Sequence, residues 1–299
     1  SGKEKTSATF GYEFSHFSQP TKEEDRFIFF QKTGFDPKLY YVLKNFSHRS
    51  HADQVNSGYK PDGSFLRGKL VLDAGCGMGR FLEISREYAG EVVGIDLSPA
   101  VDFAWLQYGH FPNVHLVQGN FLHPPFPDSI FDAIYSIGVL HHTPSTERSF
   151  RHIARLCKSG GTLSVWVYPP AYWNDPIRGS IAKSLRVLTR RLSPRLLHLF
   201  CLLLYPLGKL QVMLASSRLG KILGSPFFLI PVPRDQERGK VDVGVIYDYY
   251  SPYYIWTHTS EEVFDWFVEN GFEDIRILPL PTALIGRKKA NISGIKQNL

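Results

Sequence analysis

Acidic residues are missing from one long stretch of this sequence, and cysteines are scarce throughout. From Pro176 to Arg234 there are ten lysines and arginines but no aspartate or glutamate, which leaves 24 basic against 28 acidic residues elsewhere. The three cysteines, Cys76, Cys157 and Cys201, are far apart and odd in number. They offer neither a disulfide framework nor a four-cysteine metal site, so we expect a reducing, cytoplasmic compartment.

The basic stretch also contains the most apolar run of the chain. Leu196 to Leu207 is strongly apolar but is interrupted by Pro206, Gly208 and Lys209. We expect it to be too short for a membrane span, which needs roughly 20 apolar residues. A buried lid, an oligomer interface and an interfacial helix pair all suit such a run, and the nearby arginines suit an anionic head group, a diphosphate or a plain solvated face. These arginines are Arg186, Arg190, Arg191 and Arg195.

The order of apolar and helical segments predicts the domain organisation. Residues 1–66 are expected to form an N-terminal helical extension or cap. From residue 67, short apolar runs alternate with helical segments up to residue 169, and the alternation resumes over 246–290. This pattern favours an α/β fold with a doubly wound, seven-stranded and mostly parallel sheet. Residues 170–245 are predicted to be an inserted helical lid, an oligomer interface or a membrane-contact segment.

One glycine-rich loop indicates a nucleotide-derived cofactor. The stretch VLDAGCGMGR, residues 71–80, ends an apolar run at a carboxylate and opens into three glycines. Glycines let the backbone turn tightly and approach a ligand, and the next helix points its N–H groups at the bound group. About twenty residues further on, Asp96 ends the next predicted strand, where a carboxylate can accept hydrogen bonds from a ribose. A nicotinamide dinucleotide and S-adenosylmethionine both have such a ribose.

The spacing of the glycines distinguishes these two cofactors. Gly75, Gly77 and Gly79 follow the pattern G-x-G-x-G, whereas the dinucleotide fingerprint is G-x-G-x-x-G. Asp73 stands two residues before the first glycine, where it would repel a pyrophosphate but attract the ammonium of a sulfonium amino acid. The sequence therefore favours S-adenosylmethionine.

Five segments resemble, in order, the motifs of class I S-adenosylmethionine-dependent methyltransferases of the small-molecule type. They occur within residues 69–167, and the similarity resumes over 257–289. The segments are LDAGCGMGR, VVGIDLS, GNF, FDAIYSIGVLHHTP and RHIARLCKSGGTLSVWV. The resemblance implies methyl transfer from S-adenosylmethionine, with S-adenosylhomocysteine as the product. It says little about the acceptor, because this fold supports many different substrates.

The resemblance also implies which residues hold the cofactor. The first strand end and the glycine loop hold its amino-acid end, and the second strand end meets the ribose and adenine. The third motif contacts the adenine, and the fourth strand ends under the sulfonium. The residues implied for the amino-acid end are Asp73, Gly75, Cys76, Gly77 and Gly79. Those implied for the ribose and adenine are Asp96 and Leu97, and those for the adenine are Asn120 and Phe121. Those implied to lie under the sulfonium are Ser136 and Ile137. The family often has aspartate where this chain has Asn120, but an amide carbonyl can still meet the adenine amino group.

Three histidines are candidate general bases, because neutral imidazole suits proton transfer near pH 7. His141 and His142 follow the fourth strand directly, and His258 precedes a predicted helix. Their alternative roles are hydrogen bonding within a loop or capping of a helix. Aromatic residues of two segments are expected to line an acceptor pocket or to pack in the core. These residues are Tyr12 and His16 near the start, and Tyr250, Tyr253 and Tyr254 later on.

The function predicted from these patterns is methyl transfer at oxygen or carbon of a small or lipid-like acceptor, anionic or phosphorylated ones included. Peripheral membrane contact through 186–215, with membrane association of a cytoplasmic protein, and a homo-oligomer are further expectations. An RNA methyltransferase is one alternative, which the pI near 9.1 allows. Nucleic acid is less favoured because the basic residues alternate with aliphatic runs. An inactive cofactor-binding scaffold is another alternative. No metal site is predicted.

Overall fold

The computed structural model describes residues 4–5, 7–9, 12, 22–39, 61–170, 176–215, 232 and 241–290. A central sheet follows the predicted apolar runs. Its strands are β1 (Leu70–Ala74), β2 (Glu91–Asp96), β3 (Val114–Gln118), β4 (Phe131–Ile137), β5 (Cys157–Trp166), β6 (Phe272–Ile277) and β7 (Ala283–Lys288). The helices are α1 (Lys22–Thr33), α2 (Leu82–Tyr88), α3 (Ala100–Tyr108), α4 (Thr146–Leu156), α5 (Pro176–Thr189), α6 (Pro194–Ala215), α7 (Val243–Tyr250) and α8 (Ser260–Glu269).

The sheet has the strand order β3-β2-β1-β4-β5-β7-β6. Strands β1 to β5 pair in parallel, and β7 runs antiparallel to both β5 and β6. Only residues 278–282 join β6 to β7, so the two strands form a hairpin and β7 is reversed. The predicted doubly wound, seven-stranded and mostly parallel α/β fold is confirmed. The strand order reverses between β1 and β4, where such sheets leave a crevice outside the carboxyl ends of their strands.

Apolar side chains on both faces of the sheet hold the helices in two layers. Because side chains alternate along a strand, neighbouring residues of β1 belong to different layers. One layer joins the sheet to α4 and α8 through Leu72, Ile134, Phe150, Phe267 and Val263. The other joins it to α1, α2 and α3 through Val71, Tyr135, Phe29, Leu82 and Val101.

Helix α1, predicted in the N-terminal extension, packs on the second layer and reaches the glycine loop. The side chains of Phe29 and Phe30 are almost completely buried. The Asp25 carboxylate accepts hydrogen bonds from the Arg80 guanidinium, with Nε 2.8 Å and a terminal nitrogen 2.6 Å from Oδ1. This ion pair ties α1 to the end of the glycine loop.

Glycines commonly end helices, so Gly160 and Gly161 in the motif RHIARLCKSGG predict a helix end at that point, but this prediction is wrong. Helix α4 ends at Leu156, and both glycines lie inside β5. The strand starts early because Cys157 pairs with Phe131 of β4, and a register shift in β4 then brings Thr162 opposite Ala133. The glycines therefore occupy an irregular strand, where a missing side chain is also common.

Three helices from the inserted region form a third apolar cluster. Leu197, Cys201 and Leu204 on the inner face of α6 pack with Ile246 and Tyr247 of α7. Proline and glycine disfavour a helix and predict a break at Pro206 and Gly208, but this prediction is wrong, since α6 continues through both residues to Ala215. Pro206 has no backbone N–H, so the helical hydrogen bond to the carbonyl of Leu202 is missing. Leu202 is exposed, so water can hydrate that carbonyl instead.

Candidate active site

The glycine loop is held in a left-handed backbone conformation at the carboxyl end of β1. Gly75, Gly77 and Gly79 have φ angles of 96°, 52° and 91°, a region that disfavours residues with a Cβ. The amides of Gly75 and Cys76 both donate to the carbonyl of Ile95, at 2.8 and 3.1 Å. The loop is thus fastened to β2, and a Cβ at Gly75 would collide with the side chain of Val139 from the loop after β4.

The Asp96 carboxylate lies where β2 ends and organises the same loop. Its Oδ2 accepts from the Gly77 amide at 2.8 Å, and its Oδ1 accepts from the amide and hydroxyl of Ser98 at 2.8 and 2.7 Å. Burial raises the pKa of Asp96, and the hydrogen bonds from Ser98 and Gly77 offset part of that effect. The side chain is nevertheless only half-buried. The carboxylate therefore keeps some contact with solvent at the carboxyl edge of the sheet.

Asp73 lies deeper than Asp96 and is almost completely buried. Its Oδ2 accepts from the Tyr135 hydroxyl at 2.9 Å, and that hydroxyl also lies 3.0 Å from Ser85 Oγ. Burial raises the pKa of Asp73 to about 8, with the hydrogen bond from Tyr135 acting in the opposite direction. A buried carboxyl of this kind becomes more favourable as a carboxylate when a cation approaches. It therefore fits the charged ammonium of a sulfonium amino acid, as the half-buried Asp96 carboxylate fits a ribose.

The remaining predicted cofactor residues surround the same crevice with different degrees of exposure. Leu97 is 36% exposed, whereas Phe121 is 6% exposed. The Asn120 amide oxygen already accepts from the Leu122 amide at 2.9 Å, which orients the side chain. The buried Ser136 hydroxyl donates to the carbonyl of Ala74 at 2.7 Å and links β4 to β1. The next residue, Ile137, is half-buried at the same edge.

The candidate histidines lie in three different environments. His141 is completely buried, and neither of its ring nitrogens has a hydrogen-bond partner within the described part of the chain. Burial lowers its pKa well below the ordinary value, and the neighbouring His142 and His258 lower it further. His142 Nδ1 lies 2.9 Å from the carbonyl of Tyr254, so this nitrogen is the proton donor. Burial lowers the pKa of His142 to about 4.

His258 is held by hydrogen bonds at both ring nitrogens. Nε2 lies 2.9 Å from the hydroxyl of Thr146, and Nδ1 lies 3.3 Å from Glu262. Burial lowers the pKa of His258, although Glu262 raises it. Thr259 and Glu262 form the capping box that begins α8. His258 therefore connects α4 to the start of α8.

The aromatic residues predicted to line a pocket lie mostly against the inserted helices. Tyr250 is fully buried in the third apolar cluster. Tyr12 stacks on Tyr247 with ring centroids 5.7 Å apart, and its hydroxyl lies 2.9 Å from His198 Nδ1. Tyr253 and Tyr254 are half-buried. The last candidate, His16, lies outside the described residues.

Arg186 does not face solvent or a head group, contrary to the expectation from sequence. Its side chain is 2% exposed, and its guanidinium donates to the carbonyls of Tyr249 and Pro252 at 2.8 and 2.6 Å. The arginine is buried because these carbonyls, at the end of α7, need donors that no helix provides. Arg191 and Arg195 are exposed, as expected.

Three polar residues near the site have no motif of their own. Tyr135 contacts Asp73 across 62 positions of sequence, and Tyr168 contacts Asp248 across 80. Residues this far apart in the sequence form no short-range pattern from which their contact could be predicted. The one available signal was Asp248 itself, which is a single carboxylate within the aromatic run YDYY.

The strand order and the strand-end carboxylates together define a class I methyltransferase fold with a place for its cofactor. Residues 72–165 match the family described as a methyltransferase domain. A stretch of 129 residues, 41% of the chain, is 36% identical to a sterol 24-C-methyltransferase of Gibberella zeae over 32% of that protein. The sterol 24-C-methyltransferase of Saccharomyces cerevisiae is 34% identical over 125 residues, 39% of the chain and 32% of that protein.

Among solved structures, an S-adenosylmethionine-dependent methyltransferase from Mesorhizobium loti aligns with a TM-score of 0.45 at 17% identity, covering 75% of this chain and 92% of that one. The chain spans about a third of the length of the curated relatives it matches. It contains a class I S-adenosylmethionine-dependent methyltransferase domain, and S-adenosylmethionine is the cofactor of that domain.

Proposed function

We propose that this protein transfers a methyl group to carbon or oxygen of a lipid-like acceptor, which it meets at an anionic membrane surface. When bound, S-adenosylmethionine supplies a methyl group on a sulfonium, whose sulfur keeps the bonding electron pair. The similarity of the domain to sterol 24-C-methyltransferases supports an apolar acceptor and a carbon target. The observation that carries the proposal is an exposed apolar face on α6.

The residues of the domain have defined tasks in this proposal. The Asp73 carboxyl holds the ammonium of the cofactor, and the loop from Gly75 to Gly79 brings the backbone close to it. Asp96 binds the ribose hydroxyls, and Leu97 covers the adenine. In a displacement reaction the protein mainly orients the two reactants and excludes water.

The outer face of α6 is unusually apolar for a surface. Four side chains at helical spacing, Leu196, Leu199, Leu203 and Met213, are 55%, 54%, 69% and 62% exposed. We call these four residues the outer stripe. A helix that is apolar on both faces is normally buried in a large core or in lipid. The segment Pro194–Leu214 is long and apolar enough to cross a membrane. Only 28% of its most apolar stretch of 18 residues is buried.

Charge around the outer stripe favours an anionic bilayer over other apolar partners. The exposed cations of α5, α6 and the turn between them are accompanied by no acidic residue from 176 to 234. Each basic residue near an anionic membrane surface adds roughly 1 kcal/mol of attraction. These cations are Lys183, Arg191, Arg195 and Lys209.

The packing of α6 favours a helix that lies on the membrane over one that crosses it. Its inner residues Leu197, Cys201 and Leu204 are buried against α7. Crossing the bilayer would require this cluster to separate, whereas lying in the interface leaves it intact and inserts only the outer stripe.

Methyl transfer is tested with methyl-labelled S-adenosylmethionine and an extract of the source cells, separated into organic, small aqueous, RNA and protein fractions. We expect label in the organic fraction. Label in RNA would replace the proposal with an RNA methyltransferase that uses the basic insertion. No transfer despite cofactor binding would leave an inactive cofactor-binding scaffold.

Membrane contact is tested by sedimentation with vesicles of phosphatidylcholine, with and without phosphatidylserine. The double variant Leu199→Glu/Leu203→Glu should lose most binding to the anionic vesicles, because two charges would enter the interface. Leu106→Glu is the matched control, since Leu106 of α3 is 78% exposed on the methyltransferase domain. Equal binding by all three proteins would contradict the proposal. A dimer that the double variant alone dissociates would assign the outer stripe to a homo-oligomer.

A further inference from the structure

Tyr168 lies just after β5, at the carboxyl edge of the sheet and next to the end of β4. Ile137 at the end of β4 pairs with Trp166 at the end of β5, so the residues after both strands emerge at one edge. Two residues later, the ring of Tyr168 covers the ring of His141, with centroids 3.8 Å apart. His141 is completely buried beneath it, whereas Tyr168 is only half-buried. Of these two residues, Tyr168 is therefore the one that faces the crevice.

The hydroxyl of Tyr168 has a carboxylate beside it from the inserted helices. It donates to Asp248 Oδ2 of α7 in a long hydrogen bond of 3.4 Å. Asp248 is half-buried, yet burial raises its pKa to about 6, against the lowering effects of Tyr168 and the Arg186 guanidinium. Above about pH 6 Asp248 is a carboxylate and accepts protons.

The three histidines are less suited to accept a proton. Burial lowers the pKa of His141 and His142, the latter to about 4, so neither gains a proton easily near neutral pH. His142 Nδ1 already donates to the Tyr254 carbonyl, and His258 is bonded at both nitrogens. A base with a strongly lowered pKa drives proton transfer weakly.

We propose that Tyr168 is a catalytic residue that removes the proton of the methyl acceptor, with Asp248 as its positioning residue. This inference rests on the proposed methyl transfer. The acceptor proton moves to the Tyr168 oxygen as the phenol proton moves to Asp248 Oδ2. The carboxylate is thereby protonated and becomes neutral, and Tyr168 ends the step as a neutral phenol. The substrate class is an acceptor with a proton to lose, either a hydroxyl or an alkene carbon that deprotonates after methylation.

The pairing of the two residues can be tested without an acceptor. The protein is labelled with ¹³C at its aspartate carboxyls, and the titration of each carboxyl is followed by NMR. Comparison with Asp248→Asn identifies the Asp248 signal, which we expect to titrate near pH 6. Tyr168→Phe should raise that pKa, because the hydroxyl donates to the ionised form. An unchanged pKa in Tyr168→Phe would overturn the pairing even if methyl transfer is confirmed.

The catalytic role is tested with the lipid fraction that accepts label, using initial rates against pH. Tyr168→Phe and Asp248→Asn should each lower kcat about 100-fold, with the S-adenosylmethionine Kd unchanged. Wild-type activity should fall below about pH 6, and this limb should disappear in Asp248→Asn and return, shifted, in Asp248→Glu. Near-normal kcat in Tyr168→Phe, with loss of activity in His142→Gln, would return the role to histidine. If no fraction accepts label, the proposed function fails and the NMR titration alone decides whether the pair exists.

Discussion

At the residue scale, the proposed role of Asp96 in cofactor binding can be tested with one substitution. Asp96→Ala removes the acceptor predicted for the ribose hydroxyls and also frees the amide of Gly77. We expect the S-adenosylmethionine Kd to rise by one to two orders of magnitude, about 1.4–2.8 kcal/mol, in isothermal calorimetry. Asp102→Ala is the matched control, because Asp102 is an exposed carboxyl in the first turn of α3. If both variants bind as the wild type does, the ribose does not contact Asp96.

Asp73 makes stability depend on pH. Burial raises its folded pKa to about 8, above the ordinary aspartate value of 3.8, so between these values the folded state binds more protons than the unfolded state. The free energy of unfolding should therefore fall as pH rises through this range. Asp73→Asn cannot titrate, so its curve should lack the decline and lie above the wild type at pH 8 by a few kcal/mol. Urea unfolding of both apo proteins across this pH range measures the difference in free energy of unfolding. If the two free energies change with pH in parallel, the raised pKa is contradicted.

At this scale the sequence predicts the groups at strand ends but not their partners. Asp73 and Asp96 follow from apolar runs that each stop at a carboxylate. The hydrogen bond from Tyr135 to Asp73 could not be predicted, because it depends on β1 and β4 being neighbours in the sheet. The burial of Arg186 could not be predicted either, because it depends on two carbonyls more than 60 residues away in the sequence.

Among the elements, α1 is joined to the end of the glycine loop by the ion pair between Asp25 and Arg80. The Asp25 side chain is only 8% exposed, so removing Arg80 takes away a charged donor from a poorly hydrated carboxylate. Arg80→Ala should therefore lower the free energy of unfolding by about 2–3 kcal/mol in chemical denaturation and weaken cofactor binding through the loop. Arg155→Ala is the control, because both members of the Arg155–Asp128 pair are at least half exposed. Its cost should stay below about 1 kcal/mol.

The ends of helices and strands are predicted less well from local sequence patterns than the elements themselves. The alternation of short apolar segments and helices predicts all seven strands. The central strands β1, β2 and β4 are the most evident, because strands buried on both faces are nearly continuously apolar. Gly160–Gly161 and Pro206 do not mark helix ends here, because tertiary contacts outweigh the local preference of glycine and proline for ending helices. Pairing with β4 extends β5 through the two glycines. Packing on α7 keeps α6 helical beyond the proline.

At the scale of the whole molecule, the described residues form a methyltransferase domain and a helical cluster with buried polar contacts between them. His142 reaches the Tyr254 carbonyl and Tyr168 reaches Asp248, while Arg186 holds the end of α7 within the cluster. Helix α7 crosses the boundary predicted between 245 and 246 and packs with the inserted helices. The contacts are polar and concentrated, so the two parts should differ in local stability.

Arg186→Ala tests this division of the molecule. It leaves the carbonyls of Tyr249 and Pro252 without their charged donor, which should cost about 3 kcal/mol locally. Amide hydrogen exchange should accelerate in α5, α6 and α7, while β1, β2 and the S-adenosylmethionine Kd stay as in the wild type. Lys183→Ala, an exposed change in the same helix, should leave both unchanged. Faster exchange throughout the sheet in Arg186→Ala would instead mean that the helical cluster and the methyltransferase domain unfold as one unit.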